Sequence, residues 1–215
     1  MYTLHWHPMA STYAPMAMLE EIGEPYEARR VDYEGGENQS PSYLRVQPLG
    51  LIPALGFADG GSMFESAAIL LFLCDRHRRA DLAPGVEEPE RAAFLQWLFF
   101  LSDTLYPAYN HYYRPQKYTT DPSGTAAIGE AARAAFTHHW GILEDRLRAE
   151  GPWLLGKRLS ACDIYMHMIS SWDDDPAALY AAFPRLRDVA AGVMQRPACR
   201  KAFDRHKYKS GLEPA

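Results

Sequence analysis

The sequence predicts an α/β unit followed by an all-α unit. Three observations carry this reading. The chain opens on period-two spacing, with Leu4 and Trp6 on one face and Tyr2 in phase. A proline-bearing apolar strand at 52–57 is followed by a glycine turn, a second short strand and an apolar helix. Beyond residue 89 strand signals vanish and apolar residues recur at helical spacing.

In order, "YTLHWH" (2–7) reads as a strand and "PMAS" as a loop. A helix follows to Ile22. Pro15 fits only a first turn, which sets the start near Ser11 or Thr12, while Gly23 and Pro25 end it. "YEARRVDY" (26–33) is a second strand and "EGGENQSPS" a loop. "IPALGF" (52–57), the turn "ADGGS" and "MF" (63–64) read as a hairpin. Ser66 is placed to cap a helix through about residue 79, with Ile69, Leu70 and Leu73 on its buried face and "RHRR" at its negative end. "ADLAPGVEEP" (80–89) has linker composition. Helical periodicity then runs over 89–113, 125–149, 160–172 and 184–196, with Pro107 expected to kink the first of these. The order is therefore β-α-β, then β-β-α, then helices alone, with the sheet unit ending near residue 80.

Composition narrows the function classes. The 215 residues are 47% hydrophobic and 23% charged, with a formal net charge of −5 and no long basic block. This argues against nucleic acid or an anionic membrane as main partner. The longest apolar run, "AAILLFLC", is too short to span a bilayer, and the N-terminus lacks a signal-peptide pattern. Cys74, Cys162 and Cys199 are widely spaced and odd in number, which points to a reducing, cytoplasmic setting rather than a disulfide framework. His5 and His7 share a strand face without a third ligand, His138 and His139 form no helical metal pair, and "DDDP" (173–176) reads as a solvated loop or cap. No metal site is expected.

Three positions in the sheet unit carry chemistry. Proline removes a ladder donor, so Pro53 marks an edge, or a cis bond after Ile52 that turns the Ile52 backbone toward an extended peptide. Glu65 and Ser66 at a helix start suit the two charges of an amino-acid end, or form a simple cap with a solvated acid. Ser11 caps the first helix or donates its hydroxyl to a bound thiolate.

Taken together, these segments resemble the soluble glutathione transferase family over nearly the whole chain. "QPLGLIPALGFADGGSMFESAAILLFL" is similar to the family's Asn-Pro-x-Gly-x-Val-Pro-x-Leu, acidic turn and Glu-Ser-x-Ala-Ile segment, with Gln47 and Ile52 replacing Asn and Val. "GPWLLGKRLSACDIYM" resembles its Gly-x-x-x-Ser/Thr-x-x-Asp helical motif, in which Ser160 and Asp163 cap each other, with Lys157 where an acid is common. "FPRLRDVAAGVMQRPACRKAF" resembles its terminal helices. The resemblance implies a thioredoxin-like domain over residues 1–80 that binds glutathione, and an all-helical domain over 89–215 on the acceptor side of a cleft. It implies glutathione held by Ile52, with Pro53 cis, and by Glu65 and Ser66, with Asn38 or Gln39 meeting the glycine carboxylate. Where bacterial members with "PGACSL" carry cysteine, this chain has Ser11. No cysteine remains there to form a mixed disulfide, which argues against glutaredoxin-like or dehydroascorbate reductase activity and suits a hydroxyl that hydrogen-bonds the thiolate. Thr12 and Tyr13 are the neighbouring candidates. "ASTYAP" does not match the loop of the isomerase branch.

The acceptor site is expected along "LYPAYNHYYRP" (105–115), where Tyr106, Tyr109, His111, Tyr112 and Tyr113 form either an aromatic pocket for a small electrophile or ordinary interdomain packing. Tyr13 is placed with them. The resemblance also implies a homodimer. The expected function is an enzyme that ionises glutathione, as co-substrate, for attack on a small electrophile or peroxide. The alternative is a non-catalytic binding or interaction module on the same fold.

Overall fold

A computed structural model of the chain describes residues 1–79 and 81–212. The expected domain limits at Ala80 and at residues 213–215 fall on positions outside the described residues. β1 (Tyr2–Trp6) sits between β2 (Tyr26–Arg30) and β3 (Ala54–Gly56), and β4 (Ser62–Phe64) forms the far edge. β1 and β2 are parallel, whereas β3 and β4 each run antiparallel to their neighbour. A parallel pair needs a crossover, and α1 (Tyr13–Ile22) supplies it.

Because β1 is central, both of its faces are covered: Leu4, His5 and Trp6 are all buried, so simple alternation is lost. His5 lies edge-on to Tyr43, and burial, followed by the Arg29 charge, holds its pKa below the ordinary value. β2 and β3 are shorter than the sequence suggests, and β4 starts one residue earlier, at Ser62. α1 starts at Tyr13 with Pro15 in its first turn. It ends at Gly23, whose left-handed φ of 76° lets its N–H reach Leu19 O at 3.0 Å. The helix packs against α3 (Ser66–Arg76) and also against α7 (Ala161–Ser170) and α10 (Pro197–His206) of the helical part. A short helix, α2 (Pro41–Leu44), precedes the loop to β3.

The long helix expected over 89–113 is interrupted. α4 (Arg91–Phe99) passes into a π-helical stretch, Phe100–Leu105, before α5 (Tyr106–Tyr113). Pro107 has no N–H to donate and its ring crowds the carbonyl four residues back. The ladder widens just ahead of it, and the Tyr106 N–H reaches Leu101 O instead. α6 (Thr125–Glu150), α8 (Pro176–Ala182) and α9 (Pro184–Met194) complete the helical part. α8 was not expected; Asp175 of "DDDP" caps it, accepting from the Ala178 N–H at 3.0 Å. Among the described residues no helix is long and apolar enough to cross a membrane.

α7 is buried on every side, so its start has no water to satisfy its backbone. Asp163 does this instead. Its carboxylate accepts from the Ser160 N–H at 2.7 Å, the Leu154 N–H at 2.9 Å and the Ser160 hydroxyl at 3.0 Å. Asp163→Ala strands two buried N–H groups, each worth about 1–3 kcal/mol. Urea unfolding is expected to show a loss of about 2–4 kcal/mol with an unchanged slope; a loss under about 1 kcal/mol refutes this account of the cap.

The two parts meet on rings that include two buried histidines. His167 stacks on Phe203, and His206 stacks on Tyr208 and faces Trp6 and Tyr13. Among the described residues, neither ring nitrogen of His206 and not Nε2 of His167 has a partner. Burial lowers both pKa values to about 3, with the Arg205 and His7 charges adding to the effect at His206. The fold therefore prefers both rings neutral. Their contribution is intact above the unfolded value near 6.5 and is lost as pH falls from there toward 3. Stability is expected to fall through that window, and His206→Phe to reduce the slope by about 1.4 kcal/mol per pH unit. An unchanged slope in denaturant titrations across pH contradicts this.

Candidate active site

The segment 47–53 is a loop without strand partners, so its backbone is satisfied by Gln47 from within and by side chains around it. Gln47 Oε1 accepts from the Leu49 N–H at 2.6 Å and the Leu51 N–H at 3.2 Å. Asn38 Nδ2 donates to Gly50 O at 2.8 Å, Tyr33 to the same oxygen at 3.2 Å, and Tyr43 to Leu51 O at 2.7 Å. Gly50 has φ of 64°, and a Cβ there would fall 2.3 Å from Gln39 Nε2 and 2.7 Å from Asn38 O. Only glycine fits. The result is a fixed Ile52 backbone followed by a cis Ile52–Pro53 peptide. Asn38 is thus a buried brace, one N–H of its amide given to Gly50 O, rather than an exposed group placed for a carboxylate. Gln39 is exposed beside it.

Ser11 precedes α1 and comes next to this loop. Its hydroxyl donates to Ile52 O at 3.2 Å and accepts from the Tyr106 hydroxyl at 3.3 Å. The two following hydroxyls point elsewhere, because successive residues at a helix start diverge by about 100°. Thr12 is buried and donates to His7 O at 3.3 Å. Tyr13 is buried in the contact between the two parts, hydrogen-bonded to His167 Nδ1 at 2.9 Å and ringed by Phe203, His206 and Tyr208. Neither Thr12 nor Tyr13 joins Ser11, which corrects their placement beside it.

Ser66 is not the cap of α3 but its first residue, with Glu65 before it at a left-handed φ of 71°. The reason lies far away in sequence. The buried Tyr165 hydroxyl requires a partner and takes the Ser66 hydroxyl at 2.8 Å. Glu65 stays exposed, beside the free N–H groups of the first helical turn. A non-glycine residue held at such a φ is strained, and strain of this kind collects at functional sites. A carboxylate at the helix start and an ammonium at Glu65 fit this pair.

Of the α5 candidates, Tyr106 alone reaches Ser11. Its ring packs 4.8 Å from Trp172. Tyr109 is in the helical core, donating to Asp173 at 3.0 Å, accepting from Trp140 Nε1 at 2.9 Å and stacked on Phe136. His111 Nδ1 donates to Pro107 O at 2.6 Å, and its ring lies on Tyr118. Tyr109 and His111 therefore leave the expected acceptor group. The sequence reading missed Tyr33, Tyr43, Tyr165, Trp172 and Tyr208. A tryptophan directly before three aspartates was a readable signal for Trp172; the others carry none locally.

The three cysteines are free and buried, far from being nucleophiles. Burial pushes Cys74 and Cys199 up to about 12, and raises Cys162 as well. Among the described residues no group of three or more His, Cys, Asp or Glu is gathered to hold a metal ion. A surface hollow of about 770 Å³ lies at the other end of α1, lined by Glu20, Glu21, Trp153, Arg196 and Lys201. Its lining includes the Glu21–Arg196 ion pair at 2.6 Å, and it includes none of Ser11, Ile52, Glu65, Ser66 or Tyr106.

The family model for the glutathione S-transferase N-terminal domain matches residues 14–76. The disulfide-bond oxidoreductase YfcG of Escherichia coli K12 is 31% identical over 94% of each chain. The glutathione S-transferase GstA of Escherichia coli O157:H7 is 25% identical over 98% of this chain and 99% of its own. A glutathione transferase homologue from Sulfitobacter, solved with bound glutathione, superposes with a TM-score of 0.86 at 26% identity, covering 95% of this chain and 98% of that one. A thioredoxin-like sheet unit joined to a helical region, with relatives that match it almost end to end, places this chain in the glutathione S-transferase family.

Proposed function

We propose that the chain is an enzyme that binds glutathione, ionises its thiol beside Ser11 and directs the thiolate at a small electrophile. The observation that carries this is the Ser11 hydroxyl, held between Ile52 O and the Tyr106 hydroxyl at the start of a helix. The cysteinyl peptide of glutathione pairs with the Ile52 backbone as a strand would. Its N–H takes the carbonyl that Ser11 now uses, which frees the Ser11 hydrogen to turn to sulfur. The γ-glutamyl carboxylate meets the first N–H groups of α3 and its ammonium meets Glu65. The glycine carboxylate falls to the exposed Gln39. Residues 1–80 form this half of the cleft and residues 89–215 the acceptor half.

The thiol proton leaves to water. The sulfur lone pair forms the new bond to carbon, and the leaving group departs with the electrons of the bond it breaks. With a peroxide, the sulfur attacks one oxygen, the O–O bond breaks and the other oxygen leaves as alcohol after protonation; a second glutathione then displaces the sulfenic hydroxyl as water, giving oxidised glutathione. Positioning and the hydrogen-bonded thiolate supply the acceleration. The free cysteines accord with a cytoplasmic setting, and the exposed Leu49, Leu51, Phe64 and Phe99 accord with a homodimer.

A second reading is favoured by the kinship to a protein named a disulfide-bond oxidoreductase. The same thiolate attacks a disulfide, expels one thiolate and leaves a mixed disulfide with glutathione. A second glutathione then displaces the other thiolate, giving oxidised glutathione. No protein thiol is needed, which matches the burial of all three cysteines.

Calorimetry with glutathione, and the ultraviolet absorbance of its thiolate, test the shared step. Wild type is expected to bind and to lower the thiol pKa. A hydrogen bond to a charged group is worth about 1.5–3 kcal/mol, so Ser11→Ala is expected to raise the bound pKa by about 1–2 units. Glu65→Gln is expected to weaken binding about fivefold, as loss of a partly exposed ion pair of about 1 kcal/mol would. No binding at millimolar glutathione favours the non-catalytic alternative. Turnover of an aryl halide against turnover of a small disulfide separates the two reactions.

A further inference from the structure

Tyr109, Tyr112 and Tyr113 of α5 and the acidic run 173–175 have so far no role in the site, yet they are built onto each other. Tyr109 donates to Asp173 at 3.0 Å, and Tyr112 donates to Asp174 at 2.8 Å. The Tyr113 hydroxyl lies against both the Asp174 carboxylate and the Trp172 carbonyl. Arg133 stands 4.6 Å over the Tyr112 ring and 3.7 Å from the Asp174 carboxylate. Asp173 also accepts from the Asp175 N–H at 3.0 Å, and Asp175 caps α8. An exposed turn of three carboxylates is thereby fixed from both sides. The residue it carries inward is Trp172.

Trp172 is engaged in two directions, and both lead to Ser11. Its ring face packs against Tyr106, whose hydroxyl donates to Ser11 Oγ. Its indole N–H donates to the Tyr208 hydroxyl at 3.1 Å, and Tyr208 donates to Ala10 O at 2.6 Å, one residue before Ser11. The contacts close a ring: Ser11, Tyr106, Trp172, Tyr208, Ala10 and back along the chain to Ser11. One arm holds a side chain and the other holds the backbone. Displacing the indole would move the Tyr106 hydroxyl and loosen the 9–11 loop together.

We propose that Trp172 is a positioning residue that sets the Ser11 and Tyr106 hydroxyls on the bound thiol, with Tyr106 as the second hydroxyl donor to the thiolate. This rests on the reading that glutathione binds with its sulfur beside Ser11. Once Ser11 turns from Ile52 O toward the sulfur, the Tyr106 hydroxyl is one hydrogen-bond length behind it and can donate either to Ser11 Oγ or to sulfur. Both arrangements favour the ionised form.

The test uses the full chain and four conservative variants. Trp172→Phe keeps a ring against Tyr106 and deletes the indole N–H. Tyr208→Phe and Tyr106→Phe each delete one hydroxyl. Asp174→Asn alters the exposed turn, far from the sulfur. Each is measured for glutathione Kd by calorimetry, for bound thiol pKa by thiolate absorbance, and for kcat and KM with an aryl halide. The expected pattern is a Kd within about twofold of wild type, a bound thiol pKa raised by about half to one unit, and kcat at neutral pH lowered about three- to tenfold. The Asp174 variant is expected to shift in the same direction by less. Lost packing alone would weaken binding without moving the pKa. If wild type lowers the thiol pKa and all four variants match it, the positioning role is overturned while the thiolate reading stands. If wild type itself leaves the thiol pKa at its solution value, both fall together.

Discussion

The carbonyl of Ile52 is the point on which the site depends. A loop of seven residues, 47–53, must present this group at a fixed place without strand partners of its own. Buried or half-buried backbone must be satisfied; Gln47 does so from within the loop, and Asn38, Tyr33 and Tyr43 do so from outside it. Ser11 is then oriented by the carbonyl it bonds, and Tyr106 by Ser11. The sheet and α1 bring the loop and Ser11 together, and the helical part supplies Tyr106 across the cleft. Each layer is placed by the one beneath it.

The local devices of the fold were readable because they act over a few residues. Pro15, Gly23, Pro107 and the Ser160–Asp163 pair each constrain their own turn, through a missing donor, a left-handed φ or a reciprocal cap. What the sequence leaves open is which distant group each hydroxyl meets. Ser66 reads as a cap until Tyr165, ninety-nine positions on, claims its hydroxyl. Thr12 and Tyr13 stand as neighbouring candidates to Ser11 until helix geometry turns them toward His7 and His167. Asn38 looks available until Gly50 takes its amide. The tyrosine row reads as either a pocket or packing, and only the spatial neighbour, an acidic turn, shows that the Tyr109, Tyr112 and Tyr113 hydroxyls are engaged by it.

The interface between the two parts is mixed in character. Beside α1 it is aromatic and carries two uncharged histidines, whereas at the cleft it is a chain of hydroxyls and one indole N–H. The first kind of contact gives adhesion with little directionality. The second gives direction with modest adhesion, since a typical hydrogen bond contributes about 0.5–1.5 kcal/mol net. Adhesion near α1 lets the weaker directional bonds remain formed at the rim.

All three cysteine sulfurs are enclosed and held protonated. A protein that handles alkylating agents or oxidants is exposed to the same reagents it processes, and a surface thiolate would be their first casualty. Under the proposed chemistry the vulnerable sulfur is that of glutathione, which enters with each turnover and leaves with each product. On that proposal self-inactivation would fall on a replaceable reactant, while the polypeptide's own three cysteines are buried away from covalent poisoning.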